Sequence, residues 1–557
     1  MVTSHLDHEV ADEPLDVETQ LTSFERPNLS DYFIGNFLHR NVQQHEATHL
    51  INPTAVSSYN VESALIQAPL TIAPPAAHCS YQNASGYGTL SDTECLRADF
   101  DSSESTVPRE IVKHELFVLT KYTVPIFATH LLELSLSVVS VLSLGHLGTS
   151  QLAAASLAGM TANVTGFSML SGIVSALDTL LPAAFTRNPK MMGLWTQRMG
   201  VVMACTVPLI MIIWLNAEKV LIFFGQEPEI ARQARQFLAV LSIGLPGHAV
   251  FELSRRYLQA QGLMHAPTVA LFVVSPLNAL ANYLFVWGPK SIRMGFIGAP
   301  LASAISMWLM AVMCFLQCVV ASKDTWDGWS SKAFDIFGLK VCISLGCAGL
   351  LSIASEWWAW EIVGLATAAL GTIALASQSV LLITSSIMYQ LPGAAAVAAS
   401  VRVGNLLGLA KVKSAQMTCR AALVQSITLG LFNSAVLYIG RHSIGYAFSS
   451  DPAVIASVAA VMPIMALFQL ADCICGIASG ILRGSGHQGR SATINVTAYY
   501  LIGIPASFFL TFGHAQLGLH GLWWGLTIAL IYGSLFGIWS VAMLDWDAAV
   551  NRVNLDA

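Results

Sequence analysis

Twelve times between residues 117 and 544 the chain enters an apolar stretch and leaves it through a short loop. A helix needs roughly 20 such residues to cross the hydrocarbon core of a bilayer. The stretches fall near 117–144, 150–183, 198–216, 231–257, 267–288, 296–321, 338–363, 368–395, 414–440, 452–480, 491–512 and 519–544. This repetition predicts an all-α polytopic membrane protein with twelve transmembrane helices. Composition agrees, since 54% of the 557 residues are hydrophobic and only 11% charged. A soluble chain would carry about a quarter charged residues.

Charge is distributed unevenly. Residues 1–115 hold seventeen acids against five bases, a net of −12, which leaves +6 for the rest. So acidic a segment reads as a disordered tail. Its first thirteen residues lack the basic start and apolar core of a cleaved signal peptide. Loops and helix ends on the tail's side carry fourteen Lys and Arg against six on the other, which places both termini in the cytosol. The sequons at Asn28 and Asn83 would then go unused. The ten cysteines are scattered and form neither a zinc pattern nor a disulfide framework.

The two halves match at an offset near 224. Leu258-Gln-Ala-Gln-Gly262 falls on Leu482-Arg-Gly-Ser-Gly486, and Gly295-Phe-Ile-Gly298 falls on Gly518-Leu-His-Gly521. Two matches with one spacing predict two pseudo-symmetric six-helix lobes with a substrate cavity between them. The organisation expected is a disordered acidic cytosolic tail (1–115), an N-lobe of helices 1–6 (116–322) and an inter-lobe linker (323–340). A C-lobe of helices 7–12 (341–545) and a C-terminal cytosolic tail (546–557) follow.

Two glutamates interrupt the seventh stretch, in Ser355-Glu356-Trp-Trp-Ala-Trp-Glu361. A charged side chain at the centre of a bilayer costs about 2.5–3.5 kcal/mol on insertion scales and marks an ion or substrate path. Asp472, in Gln469-Leu-Ala-Asp472, sits equally deep in the tenth stretch. Five helical residues separate Glu356 from Glu361, about 140° of rotation, so the two cannot face one narrow cavity together. Trp357 and Trp358 suit either an interfacial aromatic belt or a cation-π role. Asn495 and Tyr499, four apart, share a helix face. With Tyr500 and Gln378 they can bond the acids or a ligand, or serve as interhelical contacts. Glu133 is open to a transport or a structural role, whereas Glu252 lies one turn from Arg255 and Arg256 and is expected to pair with them. Asp178 is expected to close the lobes against a base such as Arg198, and Arg402, at the same offset in the second half, to do likewise. Pro125, Pro246 and Pro392 lie within spans, where proline permits a bend.

The residues resemble the multidrug and toxic compound extrusion (MATE) family, in its eukaryotic, fungal-like branch. The most specific match is Leu391-Pro-Gly-Ala-Ala-Ala-Val-Ala-Ala-Ser-Val-Arg-Val-Gly-Asn-Leu-Leu-Gly408. Gly145-His-Leu-Gly148, Asn163-Val-Thr-Gly166, Leu177-Asp-Thr-Leu180, Arg256-Tyr-Leu-Gln-Ala-Gln-Gly262, Glu356-Trp-Trp-Ala-Trp-Glu361 and Leu482-Arg-Gly-Ser-Gly486 follow the family's order. The resemblance covers roughly residues 117–544. It implies a V-shaped cavity and export of organic cations, xenobiotics or metabolites against entry of H⁺, with Na⁺ as the alternative. It also implies that Glu356 is the deeper cavity acid, that Glu361 lies nearer the mouth, and that Asp472 is the family's tenth-helix acid. Acids crowded together away from water favour sharing a proton, which an incoming cation would expel.

Two departures stand out. Leu181-Pro-Ala-Ala-Phe-Thr186 replaces the usual Gln and Gly after Leu180, which suggests a differently shaped loop. Ser140 stands where bacterial members carry a first-helix aspartate.

The chain has no Gly-Lys-Ser/Thr phosphate loop, no His-Glu-x-x-His helix and no cluster of histidines. An enzyme, a primary pump and a resident cofactor or metal are therefore not expected. The competing readings are a lipid-linked-sugar flippase, which would need a cationic cavity, and a non-transporting receptor. The expected partners are organic cations and the lipid bilayer of a plasma or vacuolar membrane, with no nucleic acid and a monomeric protein.

Overall fold

The computed structural model describes residues 108–145 and 147–553, so the expected tail up to residue 107 lies outside the described residues. Among the described residues, twelve helices are long and apolar enough to cross a membrane. They are α1 (Arg109–Gly145), α2 (Ser150–Arg187), α3 (Met191–Leu215), α4 (Pro228–Ala260), α5 (His265–Trp287) and α6 (Gly295–Ala321). The second six are α7 (Ile336–Ala368), α8 (Thr372–Gly408), α9 (Val412–Gly440), α10 (Pro452–Gly484), α11 (Gln488–Phe512) and α12 (Leu519–Ala542). Among the described residues there is no strand.

All twelve expected spans are present, but several extend further on the side where α1 begins, called the near side below. α1 starts at Arg109 rather than 117, and α8 runs to Gly408 rather than 395. The polar residues that ended the apolar pattern are helical because they find partners inside the protein. Glu115 of α1 accepts Nε (2.9 Å) and Nη2 (2.7 Å) of Arg402 of α8, and both side chains are only 1% exposed. Thr418 of α9 donates to the same carboxylate at 3.0 Å. Hydropathy alone cannot anticipate such a pair. The expected C-terminal tail likewise carries a helix, α13 (Trp546–Val553), which buries Ala549 and Val553 against the bundle.

The duplication is visible in the backbone. Gly262 and Gly486 end α4 and α10 at φ +80° and +74°, a conformation that favours glycine. Each is locked by the same pair of bonds: Leu263 N to Leu258 O and Gly262 N to Gln259 O in one half, His487 N to Leu482 O and Gly486 N to Arg483 O in the other.

Small residues set the helix spacing around α8. A side chain at Gly480 or Gly484 of α10 would strike the α8 backbone at Ala396 or Ser400. One at Gly404 or Gly408 of α8 would strike Pro182, or Ala183 and Thr186, of α2. Without a hydrophobic drive between helices in lipid, such close backbone approach is what holds them together. The Leu391–Gly408 motif is therefore a packing seam, with α10 on one face and α2 on the other. The segment after Leu180 is no loop: helix runs from Leu177 through Pro182 to Arg187. Pro182 lies beyond the first turn of this helix, with Leu177 as its first residue.

Candidate functional site

Lobe-to-lobe contacts concentrate on the near side. The near half of α1 packs on α8 and α9, and that of α7 packs on α2 and α3. Beyond Glu115–Arg402, Thr186 donates to Asn405 O (2.9 Å), Thr179 to Arg483 O (2.5 Å) and Gln488 to Ser175 O (2.8 Å). Further up, His130 meets Gln390 O at 3.4 Å, and Trp358 Nε1 donates to Val164 O at 3.1 Å. The latter acceptor belongs to the π-helical turn Asn163–Phe167 and also accepts from Ser168 Oγ at 3.0 Å. Toward the far side, side-chain bonds stay within a lobe: Ser135–Ser275 and Ser140–Ser303 in one, Gln378–Trp523 and Gln469–Ser385 in the other. Among the described residues, the side-chain bonds between lobes thus gather toward the near side and become sparse toward the far side.

Above those near-side contacts lie the C-lobe acids. Glu356 is half-buried on α7, and Asp472 is 5% exposed on α10. Each lies in the electrostatic field of the other. Tyr389 of α8 and Tyr499 of α11 lie in the field of both. Tyr389 leans over Gly476, one turn beyond Asp472, where an added Cβ would meet its ring in ordinary van der Waals contact. A polar layer lies one turn from Asp472 toward the far side, with Gln469 donating to Ser385 (3.2 Å) and Asn433 donating to Gln469 (3.4 Å). A cluster of Trp360, Phe468 and Trp523 packs alongside, with centroids 5.5–5.6 Å apart.

The other sequence-derived candidates separate into three groups. Tyr499 joins the acids, within the π-helical turn Thr497–Gly503. Asn495 instead fixes α11 to α7, donating to Ser352 O (3.0 Å) and Oγ (3.1 Å) one turn below Glu356, while its Oδ1 has no hydrogen-bond partner. Gln378 is held by Trp523 Nε1 (2.9 Å) and is not brought to the acids. Glu361 shares α7 with Glu356 but interacts with neither member of the pair.

Glu133 is drawn into a different constellation. It accepts from Arg255 Nη1 at 2.9 and 3.1 Å. Arg255 also pairs with Glu252 (2.6 Å), which in turn pairs with Arg256. Arg256 reaches Asp178 (3.1 Å), and Asp178 reaches Arg483 of the other lobe (3.8 Å). Three acids and three arginines therefore run unbroken from the N-lobe wall to the C-lobe. The expected pairing of Asp178 with Arg198 does not form. Arg198 sits where α7 begins and pairs with Asp335 (3.7 Å), whose other role is to cap α7 by accepting from Gly338 N (3.0 Å).

Sequence reasoning missed Tyr389 and Arg483. Tyr389 looked like one more aromatic in an apolar run, and Arg483 like a loop base. The Leu482–Gly486 repeat held the only cue to the latter. Among the described residues no group of three or more His, Cys, Asp or Glu is placed to hold a metal ion.

The MatE family model matches residues 125–284 and again 349–509, the second match starting 224 residues after the first. An uncharacterised transporter of Schizosaccharomyces pombe is 37% identical over 84% of the chain and 87% of its own length. Multidrug and toxin extrusion protein 1 of Homo sapiens is 31% identical over 80% of the chain and 78% of its own length. The crystal structure of a eukaryotic MATE transporter aligns over 80% of the chain and 99% of its own, with TM-score 0.75 and 27% identity.

Proposed function

Because this chain belongs to the MATE family of membrane transporters, we propose that it exports organic cations in exchange for protons. The observation that carries this reading is the Glu356–Asp472 pair, two carboxyl groups in one another's field on α7 and α10. Arg483, the cation whose field reaches Glu356, is tied to Asp178 and does not neutralise the pair. Uncompensated acids within a membrane persist where they serve a charge path.

The coupling follows from shared occupancy. With a proton on the site, the acids offer a cation less attraction. With a cation seated, a proton has less reason to bind. The two occupants compete for one charge and so move in opposite directions as the cavity opens to one side and then the other. Tyr389 and the exposed ring of Trp357 offer aromatic faces to an organic cation. The name of the human relative, multidrug and toxin extrusion protein, supports a substrate range of this kind.

The test uses purified protein in liposomes with an imposed pH gradient and, separately, an imposed Na⁺ gradient. Uphill movement of an organic cation driven by the pH gradient alone is expected. Movement driven only by Na⁺ would overturn the proton reading. Transport of anionic lipid-linked sugars with no cation flux would overturn the substrate class.

A further inference from the structure

Arg483 occupies an unusual position. It lies on α10, eleven residues beyond Asp472 and at the near-side end of the helix. Its backbone carbonyl accepts from Thr179 of the N-lobe at 2.5 Å. Its Nε lies 3.8 Å from Asp178 of the same lobe and is buried without a hydrogen-bond partner, so the tie is an ion pair and not a seated fork. Its side chain is 14% exposed, and its charge reaches Glu356 on α7 and Tyr389 on α8. Asp178, meanwhile, is shared with Arg256. The guanidinium thus stands between two sets of acids, one at the near-side lobe contacts and one at the transport site, and is fully satisfied by neither.

We propose that Arg483 is a positioning residue for transport, which relays occupancy of the Glu356–Asp472 pair to the lobe closure at Asp178. The relay works by charge alone. When the pair is ionised and empty, it draws Arg483 toward the cavity and weakens the tie to Asp178. When a cation or proton neutralises the pair, Arg483 falls back on Asp178. Asp178 retains Arg256 in both states, so the closure is loosened and not abolished when Arg483 leaves. Binding at one place thereby carries a coupling free energy to another, and the two sites bias one element with two arrangements.

This inference rests on the reading of Glu356 and Asp472 as the cation site, and the experiment separates the two. Ethidium, a fluorescent organic cation, serves as probe, and its binding to the purified full chain is measured by fluorescence. Hydrogen exchange is followed in parallel over residues 175–187 and 397–408, the helix ends that form the closure. In the unaltered protein, ethidium should slow exchange in these segments by about fivefold or more, the lower end of ordinary coupling. Arg483→Gln should still bind ethidium, but exchange at the closure should no longer respond to it. Arg483→Lys, which keeps the charge, should restore part of the response. Asp178→Asn provides an independent arm: it leaves Arg483 intact, removes its partner, and should also uncouple binding from exchange. A full ethidium response in Arg483→Gln or Asp178→Asn would overturn the relay, as would loss of binding in both Arg483 variants. Retention of ethidium binding by Glu356→Gln would instead sink the assignment of the site, whatever the Arg483 variants do.

Discussion

The two lobes descend from one repeated pattern yet treat their charges in opposite ways. In the N-lobe Glu133, Glu252 and Asp178 each lie against an arginine, at 2.9 Å for the Arg255–Glu133 pair and 3.1 Å for Arg256–Asp178. In the C-lobe Glu356 and Asp472 form no ion pair among the described residues, Asp472 lying in the field of Glu356 and Glu356 in that of Arg483. Desolvating a charge is expensive in either lobe. The N-lobe recovers that cost internally and remains locked in one arrangement. The C-lobe leaves it unrecovered, and an exchangeable occupant can then supply what is missing. An acid inside a membrane is therefore a weak indicator of a transport site until its counter-charge has been sought.

The sharpest way to break this contrast is to neutralise one acid in each lobe. Glu356→Gln is expected to abolish pH-driven cation uptake into liposomes while leaving expression and thermal stability unchanged. Asp472→Asn should impair transport nearly as severely. Full uphill transport by either variant would remove the C-lobe pair from the mechanism.

Glu252→Gln should do the reverse. It leaves Arg255 to Glu133 alone and Arg256 to Asp178, and breaking a buried ion pair from one side costs about 3–5 kcal/mol. Melting in detergent should fall by many degrees, while the fraction that remains folded still moves cation. If Glu252→Gln lost transport at normal stability, the division between the lobes would be wrong.

Glu115→Gln sharpens the comparison at the lobe interface, since Glu115 and Arg402 are the most completely buried pair. Its loss should cost a similar amount, about 3 kcal/mol or slightly more. The excess instability should disappear in the Glu115→Leu, Arg402→Met double variant, which leaves no charge unpaired. A double variant as unstable as the single one would mean that Arg402 has a role beyond pairing with Glu115.

Much of this was legible in the sequence for definite physical reasons. Spans are dictated by bilayer thickness, so apolar length reveals them. Glycines with positive φ at Gly262 and Gly486 must recur wherever the same helix end recurs, so the duplication could be read from two motifs. Glu356 and Asp472 stood out because an acid in an apolar run is rare. Partners were harder to foresee. Nothing in the sequence tells Asp178 to choose Arg256 and Arg483 over Arg198, because that choice depends on which helix ends converge. The helical first turns of α1 were hidden for a related reason: Glu115 and its neighbours read as a hydrophilic tail until Arg402 is brought to them from 287 residues away.

The smallest effect expected concerns His487, in the turn between α10 and α11 and outside both spans. It is 2% exposed, with Nδ1 2.9 Å from Ser485 O. Burial, and after it the charges of Arg552 on α13 and of Arg490, lower its pKa to about 4 against an ordinary 6.5. A folded-state value below the unfolded one means that the unfolded chain binds the extra proton first. The stabilisation is therefore complete above about pH 6.5 and is lost as pH falls toward 4, about 3 kcal/mol in all. Thermal melting of the unaltered protein should decline over that window, and His487→Gln should flatten the decline while leaving transport at pH 7.5 unchanged. The position of the residue ties this to the contrast between lobes. His487 sits against the C-terminal helix on the near side, so its proton acts on the fold, whereas a proton at Glu356 acts on the cycle. If His487→Gln displaced the pH profile of transport but left that of melting intact, the turn would belong with the C-lobe acids and not with the scaffold beneath them.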